Sequence, residues 1–82
     1  MKLIDTVEMM NSDNYQERFR AEYFQLMIRI EKLSLFLDKY FNKELDFIPN
    51  CDYNLLHEQL VHMIDYKNTL KERARVEKIN LN

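Results

Sequence analysis

The 82-residue sequence contains no glycine and a single proline, Pro49. Tight hairpin turns and phosphate-cradling loops both depend on residues that accept positive φ or let a ligand approach the backbone. Their shortage argues against a β-meander and against a nucleotide-binding P-loop. One cysteine, Cys51, closes no internal disulfide. No charged start followed by a long apolar run marks a signal peptide or a membrane span, so the expected setting is a reducing cytoplasm. A basic excess is missing too: 12 Lys and Arg stand against 14 Asp and Glu, a formal charge of -2. Such a chain has no global field to draw it to DNA, RNA or an anionic membrane.

What is present is core-forming material. Hydrophobic residues make up 46% of the chain, with five Tyr, five Phe and five Met, which outweighs the 32% of charged residues and predicts a folded protein. The length fits one domain, which buries only roughly 60 to 65% of the surface its unfolded chain exposes. A lone copy is marginal, and partner copies are expected to help.

With turns and loops so restricted, the expected fold is all-α: an antiparallel two-helix hairpin with a short N-terminal helix. Leu3, Ile4, Val7 and Met10 have the spacing of a short amphipathic helix over about residues 3–10. Asn11, Ser12, Asp13 and Asn14 form a cluster of helix-capping residues, and Asp13 with Gln16 resembles a capping box. From there no breaker appears before Pro49, which predicts a long helix over about 13–41. Phe19, Tyr23, Leu26, Ile30, Leu33, Leu37 and Phe41 share one face of it. Asn42 to Cys51 reads as the connection, with Phe47 and Ile48 expected to fold back onto the hairpin end. A second long helix follows over about 52–77. Its Leu56, Leu60, Met63, Leu70 and Ala74 lie on one side and can zip against the first.

Opposite the core stripe of the first long helix, Phe24, Ile28 and Leu35 form a second apolar face, with Ala21 nearby. Either the N-terminal segment folds over it or copies of the chain associate through it. Beside the core stripe lie Arg18, Glu22 and Arg29. Gln59, Tyr66 and Arg73 recur at sevens along one flank of the second helix. Arginine offers a planar fork of donors matched to phosphate oxygens, and tyrosine a ring on which a base can stack. Boundary arginines also commonly lay their stems over apolar surface, and Arg18 with Glu22 has the spacing of an ordinary surface ion pair. His57 and His62 point about 140° apart around a helix and do not converge on a metal. No nucleophile with its base and no close carboxylate pair is identifiable, so neither an enzyme nor a cofactor is expected.

Two stretches carry a resemblance. Tyr15-Gln16-Glu17-Arg18-Phe19-Arg20-Ala21-Glu22-Tyr23, continued by Leu26, Arg29 and Glu31-Lys32-Leu33, looks like the first helix of a small phage and prophage helical-hairpin family related to a crAss-like phage product. Leu55-Leu56-His57-Glu58-Gln59-Leu60, continued by Met63, Tyr66, Leu70 and Arg73, matches its second helix. That family resembles the phage anti-CBASS sponges, oligomers that sequester the cyclic oligonucleotide signals of bacterial immunity. The resemblance implies a non-catalytic counter-defence protein in the bacterial host cytoplasm, a homo-oligomer with a cyclic oligonucleotide or ADP-ribose-type ligand. It makes Tyr15 a base-stacking residue and sets Arg29 where a phosphate-binding lysine is expected. Ligand-binding candidates are thus Tyr15, Arg18, Tyr23, Arg29, Gln59, Tyr66 and Arg73, and interface candidates Phe24, Ile28 and Leu35. The alternative is a helical adaptor or inhibitor that presents a helix face to a host or phage protein.

Overall fold

The computed structural model describes residues Met1–Asn82 as an all-helical chain. A 3-10 turn, Leu3–Thr6, runs into a single α turn, α1 (Val7–Met10). Two long helices follow, α2 (Tyr15–Phe41) and α3 (Tyr53–Glu77). None of these helices is long and apolar enough to cross a membrane.

The cap of α2 is Asn14, not the expected Asp13. Its Oδ1 accepts from the Gln16 amide at 2.8 Å, while its own amide donates to Ser12 Oγ at 3.0 Å. Asn14 is the residue whose side chain reaches the second helical N–H, which is what a cap must do. Asp52 caps α3 in the same way, its Oδ1 accepting from the Leu55 amide at 2.8 Å.

Both long helices end in a left-handed residue, the usual place for glycine. Here Lys43 and Lys78 take φ of 59°. After α2, the Lys43 amide donates to the Tyr40 carbonyl at 3.2 Å and the Glu44 amide to the Lys39 carbonyl at 2.9 Å, a Schellman closure. After α3, the Ile79 amide donates to the Ala74 carbonyl at 2.8 Å, which folds Ile79 back beside Ala74 in the core. The tail is thus held against the hairpin: Ile79 is buried and Leu81 half-buried.

The two long helices pack along each other in opposite directions, so the start of α2 meets the end of α3. Phe19, Tyr23 and Leu26 of α2 close on Leu70 and Ala74 of α3 and on Ile79, with Leu70 fully buried. This core occupies the open half of the hairpin. At the closed end aromatic rings take over. Tyr40 and Tyr53 meet edge-on at 5.7 Å, Phe36 lies 6.3 Å from Phe47, and His57 stacks on Tyr53 at 5.9 Å. Phe47 thus folds back as expected. Ile48 does not, being 93% exposed, and Phe41 lies outside the core at 73%. Phe41 meets only the first residue of α3, its ring 6.0 Å from that of Tyr53, and Ile48 lies in the connection between the helices.

The N-terminal segment lies along α2, but of its expected apolar set only Leu3 turns inward. In a 3-10 turn side chains three apart eclipse, so Leu3, Thr6 and Met9 share the inner row while Ile4, Val7 and Met10 are exposed. Thr6 is fully buried with its hydroxyl satisfied twice, donating to the Leu3 carbonyl at 2.7 Å and accepting from Gln25 Nε2 at 2.9 Å.

A polar clasp closes the open end. Tyr15 Oη donates to Glu77 Oε1 at 2.7 Å; Arg73 donates through Nη2 to Tyr15 Oη at 3.0 Å and through Nε to Glu77 Oε2 at 3.2 Å. The Arg73 guanidinium also lies 5.0 Å from the centre of the Phe19 ring, a cation–π contact. The Tyr15 hydrogen bond, with the Arg73 guanidinium beside it, holds the Glu77 carboxyl below its usual range. The same bond pushes the Tyr15 phenol up.

Two outcomes follow from this packing. Leu70→Ala removes the most enclosed side chain of the seam and is expected to cost about 2–5 kcal/mol in denaturant unfolding, whereas Leu55→Ala, on the exposed side of α3, changes stability by under about 0.5 kcal/mol. Because Glu77 is more acidic folded than unfolded, its contribution is complete above its ordinary value of 4.5 and is lost as pH falls through the depressed one. Thermal melts from about pH 6 to about pH 3 should therefore fall more steeply for the native chain than for Glu77→Gln. Parallel slopes would mean that the clasp adds nothing to stability.

Candidate functional site

The long helices bring charged and apolar side chains together at mid-hairpin. Arg29 and Lys32 stand one turn apart on α2, and Gln59 and Met63 one turn apart on the antiparallel α3. With Leu33 below and Leu3 of the N-terminal segment beside them, these residues line an open groove of about 460 Å³. Its chemistry stands out against the rest of the surface. The chain carries a net charge of -2, yet this groove holds two cations and no carboxylate. Neither cation is spent in an ion pair. The three that form all lie within α3: Glu58 with His62, Glu72 with Arg75, and Arg73 with Glu77. Two adjacent unpaired cations and a side-chain amide suit an anionic ligand, and Leu3, Leu33 and Met63 give it an apolar lining.

A second groove, of about 550 Å³, runs along the outer side of α3, between Cys51 and Tyr66. Gln59 and Met63 line both grooves, so they form the ridge between them. Tyr66, 44% exposed, offers a ring on the far side of that ridge from Arg29. A third groove of about 600 Å³ is lined by Phe24, Met27, Ile28, Leu35 and Met1, with Glu31 as its one charged group.

The seven expected ligand residues are thus distributed over the molecule. Arg29 and Gln59 meet in the cationic groove. Tyr15 and Arg73 meet each other in the clasp, with Tyr15 still 46% exposed. Arg18 Nη1 donates to the Ser12 carbonyl at 2.8 Å and ties down the N-terminal segment. Tyr23 is 7% exposed in the core, its ring edge-on to Phe24 at 5.8 Å, so it presents no open face. Lys32 was not singled out from the sequence, although its spacing of three from Arg29 is the signal that places both on one side of α2. Of the interface candidates, Phe24 and Ile28 are half-buried and Leu35 is 57% exposed. The N-terminal segment lies beside this face, reaching it only through Met1.

No group of three His, Cys, Asp or Glu is placed to hold a metal ion. His57 is stacked on Tyr53, and His62 lies 3.5 Å from Glu58.

No curated protein and no solved structure matches the chain. The family model described as Sequestin matches residues 13–76, a span that takes in both long helices, the clasp residues Tyr15 and Arg73, and Arg29, Lys32, Gln59 and Met63 of the groove. The chain belongs to the Sequestin family.

Proposed function

We propose that this protein is a non-catalytic, phage-derived counter-defence factor that binds and sequesters a host cyclic nucleotide immune signal as a homo-oligomer in the bacterial cytoplasm. The observation that carries this reading is the groove in which Arg29 and Lys32 stand unpaired beside Gln59 in an otherwise acidic chain. Phosphate oxygens satisfy both cations and the amide, and apolar neighbours accept the base. The family name, Sequestin, supports capture of a ligand over turnover. Sequestration asks only for affinity, so no bond need be made or broken. Tyr15 and Tyr66 keep exposed rings on which a base could stack, but both lie outside this groove, Tyr15 with Arg73 in the clasp and Tyr66 across the ridge.

The proposed oligomer is supported by surface area. The chain exposes 6321 Å², against roughly 5300 Å² for a compact monomer of its mass. Its radius of gyration is 15.2 Å, where a compact chain of this length has about 12 Å. The excess of about 1000 Å² goes with the elongated 43 × 24 × 19 Å shape, which leaves long apolar flanks for a second copy to cover. The face of Phe24, Ile28 and Leu35 is the proposed contact. A protein-binding adaptor is the second reading, favoured by the exposed apolar tip of Phe41, Phe47 and Ile48.

The decisive assay is thermal shift with cyclic dinucleotides, cyclic trinucleotides and cyclic ADP-ribose isomers, with mass by light scattering on the same samples. One ligand at a hundred times its Kd should stabilise the protein by about 2.7 kcal/mol. Arg29→Ala should weaken binding of that ligand at least roughly tenfold without changing the melting of the free protein. A melting curve that no nucleotide moves would turn the assignment to the adaptor reading. Leu35→Asp, at an exposed position clear of the core, should lower the assembly mass; an unchanged mass would remove this face from the interface.

A further inference from the structure

Residues 1–12 precede the stretch that matches the Sequestin family, yet through Leu3 they supply one wall of the cationic groove. That wall is held in place. The Thr6 hydroxyl donates to the carbonyl of Leu3 itself, so a fully buried residue sets the backbone that carries the Leu3 side chain. Gln25, one turn before Arg29 on α2, donates to the same hydroxyl and also reaches the Met10 sulfur. Arg18 anchors the other end of the segment at the Ser12 carbonyl. The segment is thus tied to the very helix that carries Arg29 and Lys32. Its exposed row, Ile4, Val7 and Met10, makes no contribution to the groove, whereas half-buried Leu3 does.

Leu3 of the N-terminal segment and Met63 of α3 line the groove together, with Leu33, Arg29 and Lys32 contributed by α2 between these two elements in the lining. Thioether and branched aliphatic groups make good contact with the flat face of a base and add no polar atom that needs a partner. We propose that Leu3 is a ligand-contacting residue that forms, with Met63, an apolar slot for the base of a nucleotide whose phosphate lies on Arg29 and Lys32. The inference rests on the nucleotide reading above and adds a contact from outside the family-matching region.

The test compares two probes on the full-length protein by calorimetry. Inorganic pyrophosphate engages the cations alone, and the cyclic dinucleotides of adenine and guanine engage the slot as well. Leu3→Ala is expected to weaken the tightest of those dinucleotides by roughly three- to tenfold while leaving pyrophosphate within about twofold, and Leu3→Met to restore the affinity. Arg29→Ala weakens both probes. If Leu3→Ala leaves the dinucleotide unaffected while Arg29→Ala abolishes its binding, the slot is wrong and the nucleotide reading stands. Equal weakening of both probes by Leu3→Ala would also overturn the contact, because it would show Leu3 acting only by placing the segment. A native chain that binds pyrophosphate but no cyclic dinucleotide would overturn the slot and remove the dinucleotides as ligands together.

Discussion

A two-helix hairpin has one seam to bury, and here most of that burial is gathered into a short stretch. Phe19, Tyr23 and Leu26 close on Leu70 and Ala74, and the turn after α3 returns Ile79 to the same place. Isolated helices of 27 and 25 residues need such packing to persist in water. The seam also sets the axial register of the helices. That register is what brings Gln59 and Met63 level with Arg29 and Lys32, and Tyr15 level with Arg73 and Glu77. Clasp and groove both depend on this one alignment, while the N-terminal segment packs on α2 alone.

The arrangement separates two tasks among similar residues. Arg73 has its charge met by Glu77 and its guanidinium laid on the Phe19 ring, so it serves the closure of the hairpin. Arg29 and Lys32 have no carboxylate partner and face a groove with apolar walls. In an acidic chain the positive field is therefore local, which suits a small anion better than a polymer whose many phosphates would meet the carboxylates elsewhere. The lack of glycine has its own consequence. Lysine fills both left-handed helix ends, at a strain of about 1 kcal/mol each that a glycine would not carry.

Much of the helical framework is legible in the sequence because helix periodicity is a local property. The stripe through Phe19, Tyr23 and Leu26 and the stripe through Leu70 and Ala74 are visible as spacings of three and four, and both meet in the core. Local reasoning fails where a contact decides. Phe41 continues the stripe by spacing but meets only Tyr53 at the very start of α3 and stays exposed, and Ile48 is apolar with nothing to cover it. At the N-terminal segment, a 3-10 turn shifts the inward row to Leu3, Thr6 and Met9, and a threonine goes inside because Gln25 and the Leu3 carbonyl satisfy its hydroxyl.

The candidate site divides along the same line. Residue type and helical position singled out Arg29, Gln59 and Arg73 as groups that suit phosphate or a base, and the family resemblance added Tyr15. Only the tertiary structure decided that Arg29 and Gln59 share a groove with Lys32 and Leu3, that Tyr15 and Arg73 hold each other, and that Tyr23 is enclosed. By itself the sequence determined which residues share a side of each helix, since about 100° per residue is written into any α-helix. Which side chains meet across helices depends on register and docking angle, and these are set by packing between segments far apart in the chain.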